Sequence, residues 1–171
     1  MNETLFEIPD AIFRYITGFL EVSDGALSFQ STCKTLKNII NLGFRDMELQ
    51  DFHESGPYHD YMLRRWVEIN PIMVRSDVHS MIFSCEYKDQ GWGNRKGKIY
   101  ITEKEDGFSN DVYDIGAKIA ESPTAEHRTR RLVLKFRPKP GATYAISYFV
   151  GGGGGHELFI TNAKVKSVAY L

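Results

Sequence analysis

The spacing of apolar residues changes once along the chain, and that change limits the folds open to it. In the N-terminal part, Leu5, Ile8, Ile12, Ile16, Phe19 and Leu20 recur at steps of three and four, the period of one helix face. Pro9 suits a first turn, where its missing N–H has no partner to lose. "SDG" at 23–25 interrupts, with Ser23 or Asp24 placed to cap a second helix. Leu27, Phe29, Cys33, Leu36, Ile39 and Ile40 carry that second pattern, and Gly43 stands where it would stop.

From Trp66 onward the period is two. "VHSMIFSCEY" sets His79, Met81, Phe83, Cys85 and Tyr87 against Val78, Ser80, Ile82 and Ser84. "RRLVLKFRP" sets Leu132, Leu134 and Phe136 against Arg131, Lys135 and Arg137. "ATYAISYFV", "HELFIT" and "AKVKSVAYL" are further strand candidates, rich in β-branched and aromatic residues. The pattern predicts an α+β chain: a helical part over 1–45, a connecting segment over 46–65 around "HESGPYHD", and an antiparallel β-sandwich over 66–171.

Apolar content of 42% and charged content of 25% are those of a globular protein. No apolar run approaches the roughly 20 residues that span a bilayer. The opening "MNETLFEIPD" carries acids where a secretory signal is positive. The expectation is a soluble protein of the cytoplasm or nucleus, with no membrane partner. Cys33 and Cys85 fall in segments of different character, so both are expected as free thiols in a reducing compartment. Residues 1–60 hold four Lys/Arg against ten Asp/Glu, and the rest holds seventeen against twelve. That asymmetry suits different partners for the two parts. The basic excess falls short of the face that phosphate contact needs, so no nucleic-acid partner is expected.

Two loops stand out in the strand-rich part. In "KDQGWGNRKGKIYI", Asp89, Gln90, Asn94 and Arg95 offer planar donors and acceptors around Trp92. A sugar wants that combination, an apolar plate with polar groups for its hydroxyls; a protein hot spot also favours Trp and Arg. The same residues fit a plain turn, with Asp89 capping backbone, Gly91 and Gly93 at positive φ, and Trp92 plugging the sandwich end. In "YFVGGGGGHELFI", five glycines lie between two strands. A phosphate loop needs Lys-Ser/Thr and a following helix, which "HELFIT" does not supply. A wide turn remains, or a loop in which bare backbone approaches a ligand closely, with Gly153, His156 and Glu157 as candidate contacts. The two loops are expected at one end of the sandwich, with Trp92 partly exposed between them.

No catalytic constellation emerges. His79 and Cys85 share a strand face, but six residues of strand separate them by about 20 Å, too far for a Cys–His pair. "HE" at 53–54 lacks the second histidine of a zinc-protease motif. Asp106, Asp111 and Asp114 lack the spacing of an EF-hand loop. No metal, no cofactor and no enzymatic activity are expected.

"FEIPDAIFRYITGFLEVSDGALSFQSTCKTLKNII" resembles an F-box. The likeness lies in Ile8 and Pro9, then Ile12 and Phe13, Ile16, the Phe19–Leu20 step, Asp24, and the closing Cys33, Lys34 and Leu36. The chain departs from the motif at Gly25, Thr32 and Leu36. The resemblance implies docking to a Skp-family adaptor and, through it, a cullin, with Ile8, Pro9, Ile12, Ile16, Leu20, Leu27, Cys33 and Leu36 as the docking face. It implies a substrate-recognition subunit of a Skp–cullin–F-box ubiquitin ligase, without an active site of its own. The strand-rich part is similar to the jelly-roll, galactose-binding-like sandwiches that follow some F-boxes. It would then bind a protein or glycoprotein target. The rival expectation is a carbohydrate-binding sandwich whose helical start is only structural.

Overall fold

A computed structural model describes residues 42–56, 62–74 and 78–170, and the fold below is that of the unit Gly43–Ala169. Nine strands follow in order: β1 Leu42–Glu48, β2 Phe52–Ser55, β3 Arg64–Glu68, β4 Val78–Asp89, β5 Lys98–Lys104, β6 Ala117–Glu121, β7 Arg130–Phe136, β8 Thr143–Phe149 and β9 Glu157–Tyr170. One sheet runs β1-β9-β4-β7, with β2 also paired to β9; the other runs β3-β8-β5-β6. A single 3-10 turn, Pro71–Val74, is the only helical element among the described residues.

The α+β expectation therefore gives way to an all-β architecture of two antiparallel sheets. The helical reading of residues 5–40, with the docking face Ile8, Pro9, Ile12, Ile16, Leu20, Leu27, Cys33 and Leu36, lies outside the described residues. Where that reading met the described chain it failed: Gly43, expected to stop a helix, sits inside β1. The reason is a period of two hidden by charge. Phe44, Asp46 and Glu48 face outward, while Met47 and Leu49 pack on the core. The stretch 46–65 holds β2 and parts of β1 and β3.

The alternation read in β4 and β7 sets the core. Met81, Phe83, Cys85 and Tyr87 from β4 and Leu132 and Leu134 from β7 face Ile99 and Ile101 of β5 and Tyr144, Ile146 and Tyr148 of β8. Aromatic contacts clasp the sheets at both ends of β8. Phe136 meets Tyr144 with centroids 5.1 Å apart, and Phe52 meets Tyr148 at 4.6 Å. Burial pushes the Cys85 thiol up to about 12.

"HELFIT" and "AKVKSVAYL", read as separate strands, are one strand of 14 residues. It bends at Asn162, which holds a φ of 52°. Asp51 Oδ1 accepts the Asn162 N–H at 3.1 Å, and Leu49 N–H donates to the Ala163 carbonyl at 2.9 Å. The bend lets β9 carry β2 along its first half and β1 along its second.

Tyr144 shows how the tight turn that carries the chain from β7 in one sheet to β8 in the other is held. Its hydroxyl donates to Glu103 Oε2 at 2.8 Å and accepts the Lys139 N–H at 2.7 Å. On the opposite flank, the 105–116 loop folds back on β3. Arg65 N–H donates to the Val112 carbonyl at 2.7 Å, and the Arg65 guanidinium lies 5.0 Å from the Phe108 ring centre.

Candidate functional site

Two loops and a third segment meet beyond Asp89, where β4 ends and β9 begins. The five glycines are explained by what lies against them. A Cβ on Gly151 would come within 2.7 Å of Lys96 Cβ, and one on Gly155 within 2.9 Å of Trp92 Cη2. Both residues also hold positive φ, +111° and +69°, a region that side chains rarely enter. Lys96 Nζ donates to the Gly152 carbonyl at 2.8 Å, and Gly56 N–H donates to the His156 carbonyl at 2.8 Å. The run is neither a floppy linker nor a phosphate cradle. It is bare backbone on which Trp92 and Lys96 rest.

Gln90 stitches the two loops together. Its Nε2 donates to the carbonyls of Trp92 at 2.6 Å and Asn94 at 3.1 Å, and lies 3.4 Å from His156 Nδ1. Its Oε1 accepts the Glu157 N–H at 3.3 Å. Asp89 shapes the loop from beneath. Its Oδ1 accepts the Gly91 N–H at 2.8 Å, an Asx turn, and lies 2.9 Å from His127 Nδ1. Its N–H donates to the Glu126 carbonyl at 2.9 Å. Asp89 is 1% exposed, and its Oδ2 is the one buried side-chain oxygen without a partner among the described residues.

The candidate residues thus divide by depth. Trp92 is 64% exposed, and Asn94, Arg95 and Gly153 are exposed beside it. His156 is 9% exposed and faces Gln90. Glu157 is half-buried, with its carboxylate 3.7 Å from His53 Nε2. Asp89 and Gln90 act on backbone, so the outward face of the constellation consists of Trp92, Asn94, Arg95 and Gly153. The two loops do share one end of the sandwich, and Trp92 does not plug it.

Sequence reasoning missed the third segment, 122–128. Ser122 N–H donates to the Ile99 carbonyl and Ala125 N–H to the Gly97 carbonyl, which lays this segment along the start of β5. It brings up His127, whose exposed ring is tethered to Asp89 through Nδ1. A hydrogen bond from Arg130, with the charges of Arg128 and Arg95 adding, holds Glu126 below the usual carboxylate range. Nothing local distinguishes "PTAEHRT" from any polar loop; only the buried Asp89 selects His127.

The other acidic stretch is internally committed. Lys104 Nζ donates to both Asp114 oxygens, at 2.7 and 2.6 Å, and Ser109 N–H donates to Oδ2 at 2.6 Å. These contacts pull the Asp114 carboxyl down to about 2. Tyr113 N–H occupies Asp111 Oδ1 at 2.9 Å.

No protein-family model matches the chain, so the F-box resemblance gains no support from one. No curated protein matches it either. Solved structures do. A chain of the Bacillus endospore appendages, which form a family of disulfide-linked pili, is 8% identical with a TM-score of 0.43, covering 75% of this chain and 91% of that one. The C-terminal domain of EclA, a sugar-binding protein, is 14% identical with a TM-score of 0.42, covering 68% of this chain and 76% of that one. The enzymatically active domain of bacteriophage CBA120 tailspike protein 4 is 14% identical with a TM-score of 0.36, covering 90% of this chain and 22% of that one.

Proposed function

We propose that the Trp92 end of the sandwich is a carbohydrate-binding site, and that this unit is a binding module rather than an enzyme. The observation that carries the reading is Trp92 itself. A large aromatic ring stands 64% exposed on a loop whose backbone is fixed by Gln90 and backed by Gly155. Isolated exposed apolar residues are ordinary on protein surfaces. A ring held from behind by glycine backbone, with planar polar side chains at its rim, is less so.

The chemistry follows from the parts. One face of a pyranose ring is lined by C–H groups and packs against an indole. Its equatorial hydroxyls then point sideways, toward Asn94, Arg95 and His127. Asp89 engages His127 Nδ1, which leaves Nε2 for the ligand. Because the Gln90 bonds already order the loop, binding freezes few additional torsions, and little affinity is lost to ordering.

The test is Trp92→Ala on the full chain, screened with the wild type on an array of immobilised glycans and followed by calorimetry on any glycan retained. A stacked aromatic anchor contributes roughly 2 kcal/mol, so binding should weaken about 30-fold. Trp92 buries only about a third of its surface. On roughly 50–80 Å² at about 25 cal/mol per Å², the stability cost is about 1–2 kcal/mol, below the ~3–5 kcal/mol of a core tryptophan. Wild-type protein that retains no glycan, or a variant that binds as well as wild type, overturns the proposal.

A further inference from the structure

The five-glycine loop carries a second feature, two residues away from the point where Trp92 rests on Gly155. Gly153 is exposed and holds a φ of +106°. A Cβ placed there would stand 3.8 Å from Lys96 Nζ and 4.0 Å from His156 Nε2. Chain neighbours aside, it would meet no other atom of the described residues within 4 Å. Bare backbone thus leaves a small open lobe with two nitrogens on its rim. Gly153 and Gly155 are at most about 7 Å apart, so a substituent of a sugar on Trp92 reaches the lobe.

What those nitrogens offer follows from Gln90. Its amide is oriented by its partners: Oε1 accepts the Glu157 N–H, and Nε2 faces the carbonyls of Trp92 and Asn94, where an oxygen would be repelled. The same Nε2 lies 3.4 Å from His156 Nδ1. An NH₂ group has no lone pair to offer, so His156 Nδ1 is the bare acceptor and Nε2 carries the ring proton. His127 is set the opposite way. Asp89 offers only lone pairs to its Nδ1, at 2.9 Å, so there Nδ1 carries the proton and Nε2 is bare. Asp89 and Gln90, adjacent in the chain, therefore assign opposite tautomers to the two histidines of this end.

His156 is 9% exposed, and its Nε2 has no partner among the described residues. A buried N–H is thus aimed at the lobe over Gly153 with nothing to receive it. Lys96 adds a second donor and a full charge. Its stem lies against Gly151, and its Nζ donates to the Gly152 carbonyl at 2.8 Å. The carboxylates of this end are turned elsewhere: Asp89 Oδ1 to Gly91 and His127, Glu126 to Arg130, and Glu157 to His53.

We infer that the lobe over Gly153 is a subsite for the carboxylate of an acidic sugar, a hexuronate stacked on Trp92. The inference rests on the reading of the Trp92 end as a carbohydrate site and adds the class of sugar. A hydroxyl arriving between two donors still has its own proton to place; a carboxylate has none and accepts from both. With both partners ionised, its hydrogen bond to Lys96 is of the strong kind.

The test is NMR titration of the full chain, with ¹⁵N-labelled histidine, against methyl glycosides of glucose, galactose, glucuronate, galacturonate and N-acetylglucosamine. Without ligand, long-range nitrogen–proton spectra should show His156 protonated on Nε2 and His127 on Nδ1. One uronate should bind at least about tenfold more tightly than its neutral hexoside, with the His156 Nε2–H resonance shifting. Lys96→Met keeps the stem and removes the ammonium, and should cut that preference to within about twofold; Lys96→Gln serves if Lys96→Met does not fold. A protein that binds hexosides without preferring either uronate overturns the subsite and leaves the Trp92 reading standing, as does a Lys96→Met protein that keeps the preference. His156 protonated on Nδ1 also defeats it, by turning an acceptor toward the lobe. Tightest binding of N-acetylglucosamine defeats it in favour of an amide carbonyl. Binding of none of the five removes the subsite, and if the glycan array is empty as well, the Trp92 reading falls with it.

Discussion

Adding one methyl group at Gly155 tests how Trp92 is held. The Gly155→Ala change has two separable costs. The residue sits at φ +69°, where an L side chain costs about 1–2 kcal/mol. For a unit of this size that lowers Tm by about 4–8 °C. The new Cβ would also stand 2.9 Å from Trp92 Cη2 and 3.3 Å from Cζ2, whereas ordinary contact begins at 3.4 Å. The indole must therefore retreat by at least about half an ångström, near the tolerance a binding site allows. Being largely exposed, it can do so by a torsional change at little further cost. Gly153→Ala is the matched control. It shares the backbone cost at φ +106°, but nothing lies closer than 3.8 Å to its Cβ. Incorporating 5-fluorotryptophan gives two ¹⁹F resonances, one from Trp66 and one from Trp92. Gly155→Ala should shift the Trp92 resonance and weaken glycan binding; Gly153→Ala should lower Tm while leaving that resonance in place. A Gly155→Ala protein with unchanged Tm and an unchanged Trp92 resonance would show that the ring does not rest on this backbone.

Two further outcomes are expected. Asp114 has its folded pKa depressed to about 2 from 3.8, so its contribution to stability is present above 3.8 and is lost as pH falls through 2. Asp114→Asn should flatten the decline of Tm between pH 4 and pH 2, as read by scanning calorimetry; an unaltered decline would refute the assignment. Cys85 is buried with its thiol pushed up to about 12, so it should resist alkylation at pH 8 in native protein and react once urea unfolds the sandwich, which mass spectrometry of the Cys85 peptide reads directly.

The legible parts of this fold were those in which one physical constraint dominates. β4 from Met81 onward and β7 alternate because one side faces the core and the other water, and Met81, Phe83, Leu132 and Leu134 are inside; before Met81 a register shift buries Val78 and Ser80 instead of His79. β1 was read as the end of a helix because its inward positions include Arg45 and its outward ones Phe44, which inverts the usual signal. β6 escaped notice because its five residues are mostly exposed. At the site, the residue types around Trp92 were visible, and so was the shared end. The division of labour was not. Asp89 and Gln90 look like ligand groups in sequence, yet the fold spends both on backbone. The glycines read equally well as a loop for a ligand; that they receive Trp92 and Lys96 depends on contacts from some sixty residues away in the chain.

The bend at Asn162 also bears on how copies of this protein meet in a crowded solution. A sheet edge with unpaired backbone groups invites a strand from another molecule. Because β9 turns at Asn162, the edge beside it is built from two pieces, β1 of seven residues and β2 of four, and not from one long ribbon. The remaining edges are blunted by other means. β7 carries Arg130, Arg131 and Lys135, β3 is broken by a bulge between Arg65 and Val67, and β6 is five residues long with an irregular register against β5. Deleting Asn162 would remove the one extra residue that β9 carries between Thr161, opposite Glu86, and Lys164, opposite Ser84, and would keep Val165 opposite Phe83; the strand beside a straightened β9 could then run on as one ribbon, the longer edge that invites another molecule.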